Sequence, residues 1–212
     1  MDFESLLELI AEDPVFDSSL LLAGEVDPKN VRLQLTRWVN SGRIYQLRRG
    51  LYAIAPPYQK SHPHPFLVAN RLQRASYVSL QSALAFYGLI PEIVNITICV
   101  TTGRPERLET PLGVFEFRHI KPHLLFGYHM LDLGGQNALI ATPEKALLDL
   151  IYLQPGGGSK NYLNELRLQN LDRLNLDVLR EQSENFDSSK MRASFIGISH
   201  LIQGETRNYE EL

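Results

Sequence analysis

The sequence predicts an α+β protein in two parts, a small helical unit closed by a hairpin and then a larger mixed region with a small sheet. Three observations predict it. Residues 27–54 carry an apolar stripe at helical spacing that changes, after one glycine, into a short hairpin pattern. Pro56, Pro57, Pro63 and Pro65 crowd the next stretch, the mark of a stiff linker. Beyond it, short helical segments alternate with runs rich in β-branched residues.

In order, Phe3 to Ala11 reads as a first helix with Phe3, Leu6, Leu7 and Ile10 inward, ended by Pro14. Asp17 should cap a short second helix from Ser18 to Ala23, closed by Gly24. The third helix starts at Asp27, a good N-cap, with Pro28 at the first helical position. Val31, Leu35, Trp38 and Val39 form its inward stripe, and Gly42 stops it from the C′ position. Its opposite face carries Lys29, Asn30, Leu33, Thr36, Arg37 and Asn40. Ile44 to Ile54 is a hairpin with Arg48-Arg49-Gly50 at its tip. Helix, short helix, helix, basic-tipped hairpin is the order of a winged helix-turn-helix, in which the third helix enters a major groove and the hairpin touches backbone. The expected division is a winged-helix domain over 1–57, a linker over 58–65, and an α+β domain over 66–212.

In the second region the sequence predicts helices over 66–74 and 81–87, and strands over 77–79 and 93–101. Pro111-Leu112-Gly113 should turn a hairpin between 107–110 and 114–120, and Gly134-Gly135 another between 128–133 and 138–141. Thr142-Pro143-Glu144 starts a firm helix with Ala146, Leu147, Leu150 and Ile151 on one face. Gly156-Gly157-Gly158-Ser159 reads as a flexible break, 161–203 as two or three short helices, and 204–212 as a polar tail.

The net charge of −3 is uninformative, but its distribution is not. Residues 1–27 hold eight acidic and no basic side chains, and 28–91 hold nine Lys or Arg with no Asp or Glu. A carboxylate-free cationic block coinciding with the helix–hairpin pattern suits a phosphate backbone. Arg37, Asn30 and Asn40 are suited to base edges, and Thr36 and Leu33 to a thymine methyl. Lys29, Arg43, Arg48 and Arg49 are suited to phosphates, which set register without reading sequence. Arg32 and Gln34 flank this face.

No residue set argues for catalysis, a cofactor or a metal. The six histidines lack ligand spacing, and Pro122 separates His119 from His123. Gly156-Gly157-Gly158-Ser159-Lys160 lacks the order of a phosphate loop. Glu116 and Arg118 on a strand, with Glu92 or Glu109, are the best that a nuclease reading can muster. Glu144 is explained by the helix dipole. The lone Cys99, in an apolar run, is expected in the core; with an acidic start, Met-Asp-Phe-Glu, and no apolar run of membrane-spanning length, the expectation is a cytoplasmic protein.

Three stretches carry a family resemblance. They are Arg37-Trp38-Val39-Asn40-Ser41-Gly42-Arg43 through Arg48-Arg49-Gly50-Leu51-Tyr52-Ala53; Tyr77-Val78-Ser79-Leu80-Gln81-Ser82-Ala83-Leu84 through Tyr87-Gly88-Leu89-Ile90-Pro91; and Ala141-Thr142-Pro143-Glu144-Lys145-Ala146-Leu147-Leu148-Asp149. The chain resembles the AbiEi antitoxins of type IV toxin–antitoxin and phage-defence operons, over residues 1 to about 155. The resemblance implies a winged helix that binds inverted repeats in the promoter of its own operon and represses it. It also implies a C-terminal domain that counters a nucleotidyltransferase-like toxin without a stable complex. The residues alone leave two other readings open, a nucleic-acid enzyme targeted by the winged helix and an adaptor that grips a toxin directly.

Overall fold

The computed structural model describes residues 1–23 and 26–210, with side chains through residue 202; Gly24, expected to close the second helix, lies outside the described residues. The first helix, α1 (Phe3–Ile10), is capped by the Asp2 carboxylate on the Ser5 N–H. It ends ahead of Pro14, at Ala11, whose φ of 50° turns the chain out of the helix. A strand unforeseen in the sequence follows, β1 (Val15–Asp17), and then a 3-10 helix, Ser18–Leu22. Three residues are too few to declare a period, which is why β1 was illegible. Asp17 makes no cap bond; its carboxylate faces Arg74 instead.

Helix α2 (Pro28–Asn40) has the expected ends: the Asp27 carboxylate accepts from the Lys29 N–H, and Gly42 sits at φ 70°. Strands β2 (Ile44–Arg48) and β3 (Leu51–Ile54) form the hairpin, and β1 adds on the far side of β3, giving the order β1-β3-β2. This arrangement is compatible with a winged helix-turn-helix.

The larger region is built on a six-stranded mixed sheet, broader than the small one expected. Its strands are β4 (Ser76–Val78), β5 (Ile96–Thr101), β6 (Glu106–Thr110), β7 (Gly113–His119), β8 (Tyr128–Asp132) and β9 (Asn137–Ala141), in the order β6-β7-β5-β4-β9-β8. Both expected hairpins are present, β6–β7 and β8–β9. Helices α3 (Pro65–Leu72), α4 (Leu80–Phe86) and α5 (Pro143–Leu153) pack with it. Every residue of α5 from Glu144 to Ile151 is buried, so burial extends round the whole circumference, past the apolar stripe to Glu144, Lys145 and Asp149. Helices α6 (Lys160–Glu165), α7 (Leu176–Glu184) and α8 (Ser189–Glu210) complete the chain. The expected polar tail is therefore helical to residue 210.

The glycine run after α5 is packed, not a loose break. Gly157 is buried, and a Cβ there would lie 2.6 Å from the Ile151 carbonyl oxygen; at Gly158 one would lie 2.5 Å from Ser194 Oγ on α8. At Gly157, where the neighbour is backbone, only a residue without a side chain permits the approach.

Two apolar clusters hold the molecule. Phe3, Leu6, Ile10, Phe16, Leu21, Leu35, Trp38, Ile44, Tyr52 and Ile54 bind α1 and α2 to one face of the three-stranded sheet. The other face, through Val15, Leu47, Leu51 and Ala53, joins the core that contains α3 and the six-stranded sheet. The linker itself is pinned: Pro63 is buried, and the Gln136 amide bonds both the His62 carbonyl and the His64 N–H. Charges cross the same junction, Lys60 to Glu12, Arg71 to Asp13 and Arg74 to Asp17.

Candidate nucleic-acid interface

Helix α2 divides by polarity along its length. Leu35 and Trp38 are 2% and 3% exposed, with Phe3 edge-on to the indole at 5.6 Å. Burying a leucine of this kind stabilises by about 1.5–3 kcal/mol, and the rest of the helix follows its anchors. Lys29, Asn30, Leu33, Thr36, Arg37 and Asn40 are all exposed. At 100° per residue, Lys29, Leu33, Thr36 and Asn40 lie in one band opposite Trp38, with Arg37 and Asn30 on one side of it and Arg32 on the other. Leu33 is 50% exposed in this polar band, an apolar side chain turned toward solvent.

The outward groups are nearly all unengaged. Thr36 donates its hydroxyl back to the Arg32 carbonyl at 2.9 Å, leaving its methyl outward. Asn30 stands at the rim of a cavity of about 450 Å³ lined also by Leu9, Leu20, Val26 and Trp38. Arg43, just past the helix, lies with its guanidinium 5.0 Å from the centre of the Phe3 ring and remains exposed. Among the described residues, Lys29, Arg32, Arg37, Arg43, Arg48 and Arg49 form no ion pair. The other three cations of the basic block, Lys60, Arg71 and Arg74, are those matched to the acidic segment. The charge asymmetry read in the sequence thus resolves into a paired set at the junction and an unpaired set on α2 and the hairpin.

The hairpin tip is held close to the body. The Gly50 carbonyl accepts from the Ser18 N–H at 2.8 Å, and Arg48 donates one guanidinium nitrogen to the Leu72 carbonyl at the end of α3. Among the described residues, the Arg49 side chain at the tip forms no ion pair or hydrogen bond.

No family model matches the chain, and no curated protein matches it.

A second polar constellation lies in the interior. Asp149 accepts from Tyr77 Oη at 2.9 Å and Ser79 Oγ at 2.8 Å, and pairs with Lys145 one turn earlier on α5. Both charged side chains are fully buried. The Lys145 ammonium lies over the rings of Phe126, Phe186 and Tyr77, at 4.7, 5.0 and 5.6 Å. Burial pushes Lys145 down from the ordinary lysine range and Asp149 up from the carboxylate range, while the pair's mutual attraction opposes both. The chain passes from β4 to α4 directly beside it, with Leu80 at φ 51°, a costly conformation for a branched residue. Nothing about Lys145 in the first turn of a helix announces burial; the one available signal was its spacing of four from Asp149 on an otherwise apolar helix. The four residues come from two stretches far apart in the chain, 77–79 and 145–149, which meet at this network. Sealed from solvent, it ties β4 to α5.

The remaining candidates have structural partners. Glu116 pairs with Arg118 at 2.8 Å and lies 3.9 Å from Arg107 on β6. Glu144 is buried and accepts from the Asn175 N–H at 2.8 Å, in addition to its place in the first turn. His64 caps α3 through Nδ1, and His119 Nδ1 lies 2.9 Å from the Gly103 carbonyl oxygen. Cys99 is buried, which raises its thiol far above the ordinary range. Among the described residues no three of His, Cys, Asp and Glu come together as a metal-binding group, and no helix is long and apolar enough to cross a membrane.

Proposed function

We propose that the protein is a cytoplasmic, sequence-specific DNA-binding repressor of its own operon, with a winged helix-turn-helix as its reading head and an antitoxin function in the larger region. The observation that carries the DNA-binding part is the face of α2. Arg37, Asn40, Thr36 and Leu33 are exposed together, flanked by cations without ion pairs among the described residues, while Trp38 and Leu35 hold the opposite face inside. Arg37, Asn30 and Asn40 contact base edges; Lys29, Arg43 and Arg49 contact phosphates, and Arg48 does so with the part of its guanidinium not given to Leu72. The antitoxin part rests on the resemblance to the AbiEi family, with a nucleotidyltransferase-like toxin as the functional partner.

The test is binding to the DNA upstream of the protein's own gene, followed by fluorescence anisotropy across salt. With about five phosphates neutralised, log affinity should fall with log salt at a slope of roughly −4 to −5. Arg37→Ala should relax sequence preference at one position by about 1–3 kcal/mol, whereas Arg49→Ala should weaken all duplexes alike. An affinity indifferent to salt contradicts the proposal. Co-expression with a toxin encoded beside it tests the antitoxin part, through restored growth.

A further inference from the structure

The C-terminal end of α3 brings together cations that are far apart in the chain. Leu72 accepts from Arg48 of the hairpin tip. Gln73 donates through its amide to the backbone carbonyl of Arg104, in the turn between β5 and β6, at 3.3 Å. Arg74 meets Asp17 at 3.2 Å, and Asp17 is paired in register with Leu51 at the hairpin tip. The Gly103 carbonyl oxygen lies 2.9 Å from His119, and the Ile120 N–H donates to the Thr101 carbonyl. Lys121 follows one residue later.

Arg48, Arg49, Arg74, Arg104 and Lys121 are all exposed, and the segments that carry them meet around the C-terminal end of α3, from the hairpin onto the large sheet. The carboxylates beside it are Asp17, already facing Arg74, and Glu106, two residues beyond Arg104. Arg104 and Lys121 have no ion pair among the described residues, and their only hydrogen bonds run through backbone carbonyls.

We infer that the larger region is a second phosphate-binding surface, in which Arg104 and Lys121 extend the duplex footprint past the hairpin tip along the same DNA backbone. A charge on this surface touches phosphate only and therefore adds affinity and salt dependence without sequence preference. This inference rests on the DNA-binding reading above. It gives the hairpin's tight anchorage a purpose: a wing fixed to α3 holds the two cationic surfaces in one register.

The experiment compares the full chain with Arg104→Ala/Lys121→Ala on two mixed-sequence duplexes, one long and one only long enough for the winged unit. Neither side chain supports the fold, so both proteins should melt alike. On the long duplex the double variant should lose about two from the magnitude of the salt slope, at roughly 0.9 per phosphate contact. On the short duplex it should match the parent. Lys160→Ala, on α6, removes a cation away from this surface and should leave both slopes unchanged. If the double variant keeps the parent slope on the long duplex while Arg49→Ala lowers it, the footprint ends at the wing and the inference is overturned, with DNA binding intact. If the parent itself binds neither duplex, both readings fall.

Discussion

Lys145 and Asp149 show how one residue type can have opposite meanings at two places in a chain. Lys29 and Arg37 are exposed and form no ion pair among the described residues, so replacing them should barely change stability and, on the reading proposed above, should change what the molecule binds. Lys145 has surrendered its water, and its replacement changes the fold. Removing one member of a buried pair leaves the other uncompensated, at a cost of about 3–5 kcal/mol. Lys145→Met should therefore destabilise by about that much in urea, with the Asp149 carboxylate left to the hydroxyls of Tyr77 and Ser79. Lys145→Met/Asp149→Leu should recover a large part of the loss, because two apolar side chains suit the cage that Phe126 and Phe186 provide. A double variant as unstable as the sum of the singles would show that the two charges do not act as a pair.

At the scale of elements, α2 was legible almost to the residue because its ends and its faces are local properties. Asp27, Pro28 and Gly42 act on backbone groups within one turn, and the stripe through Trp38 needs only helical spacing. The hairpin was legible for the same reason. What escaped was set by contacts across the chain: β1 exists because β3 offers it an edge, and Gly157 is close-packed because Ile151 and α8 approach it. The cap allows a prediction about function as well as stability. Asp27→Ala should cost about 1 kcal/mol in urea unfolding, since the Lys29 N–H loses its acceptor, while Asp27→Asn keeps the bond and most of the stability. Asn also removes a negative charge from the face proposed to meet phosphate, so its DNA affinity should rise above that of the parent. Equal losses of stability for Ala and Asn would mean that the helix start does not depend on this bond.

For the whole molecule, the three-stranded sheet is the decisive feature, since it is buried on both faces. Phe16, Tyr52 and Ile54 pack toward α1 and α2, whereas Val15, Leu47, Leu51 and Ala53 pack toward the larger core. A winged unit cut after residue 57 would expose that second set, so the sheet needs the larger region to be stable. The chain reports this directly, because its one tryptophan, Trp38, sits in the smaller cluster. Trp38 fluorescence follows the N-terminal unit, and circular dichroism follows the whole chain. The two should trace one urea transition with a common midpoint, as a shared core requires. Leu51→Ala, at 3% exposure on the shared face, should lower both midpoints together by about 2–5 kcal/mol of stability. Two separate transitions, with Leu51→Ala moving only the first, would mean that the junction is a mere contact between independent domains, held by the pinned linker and the polar bonds that cross beside it.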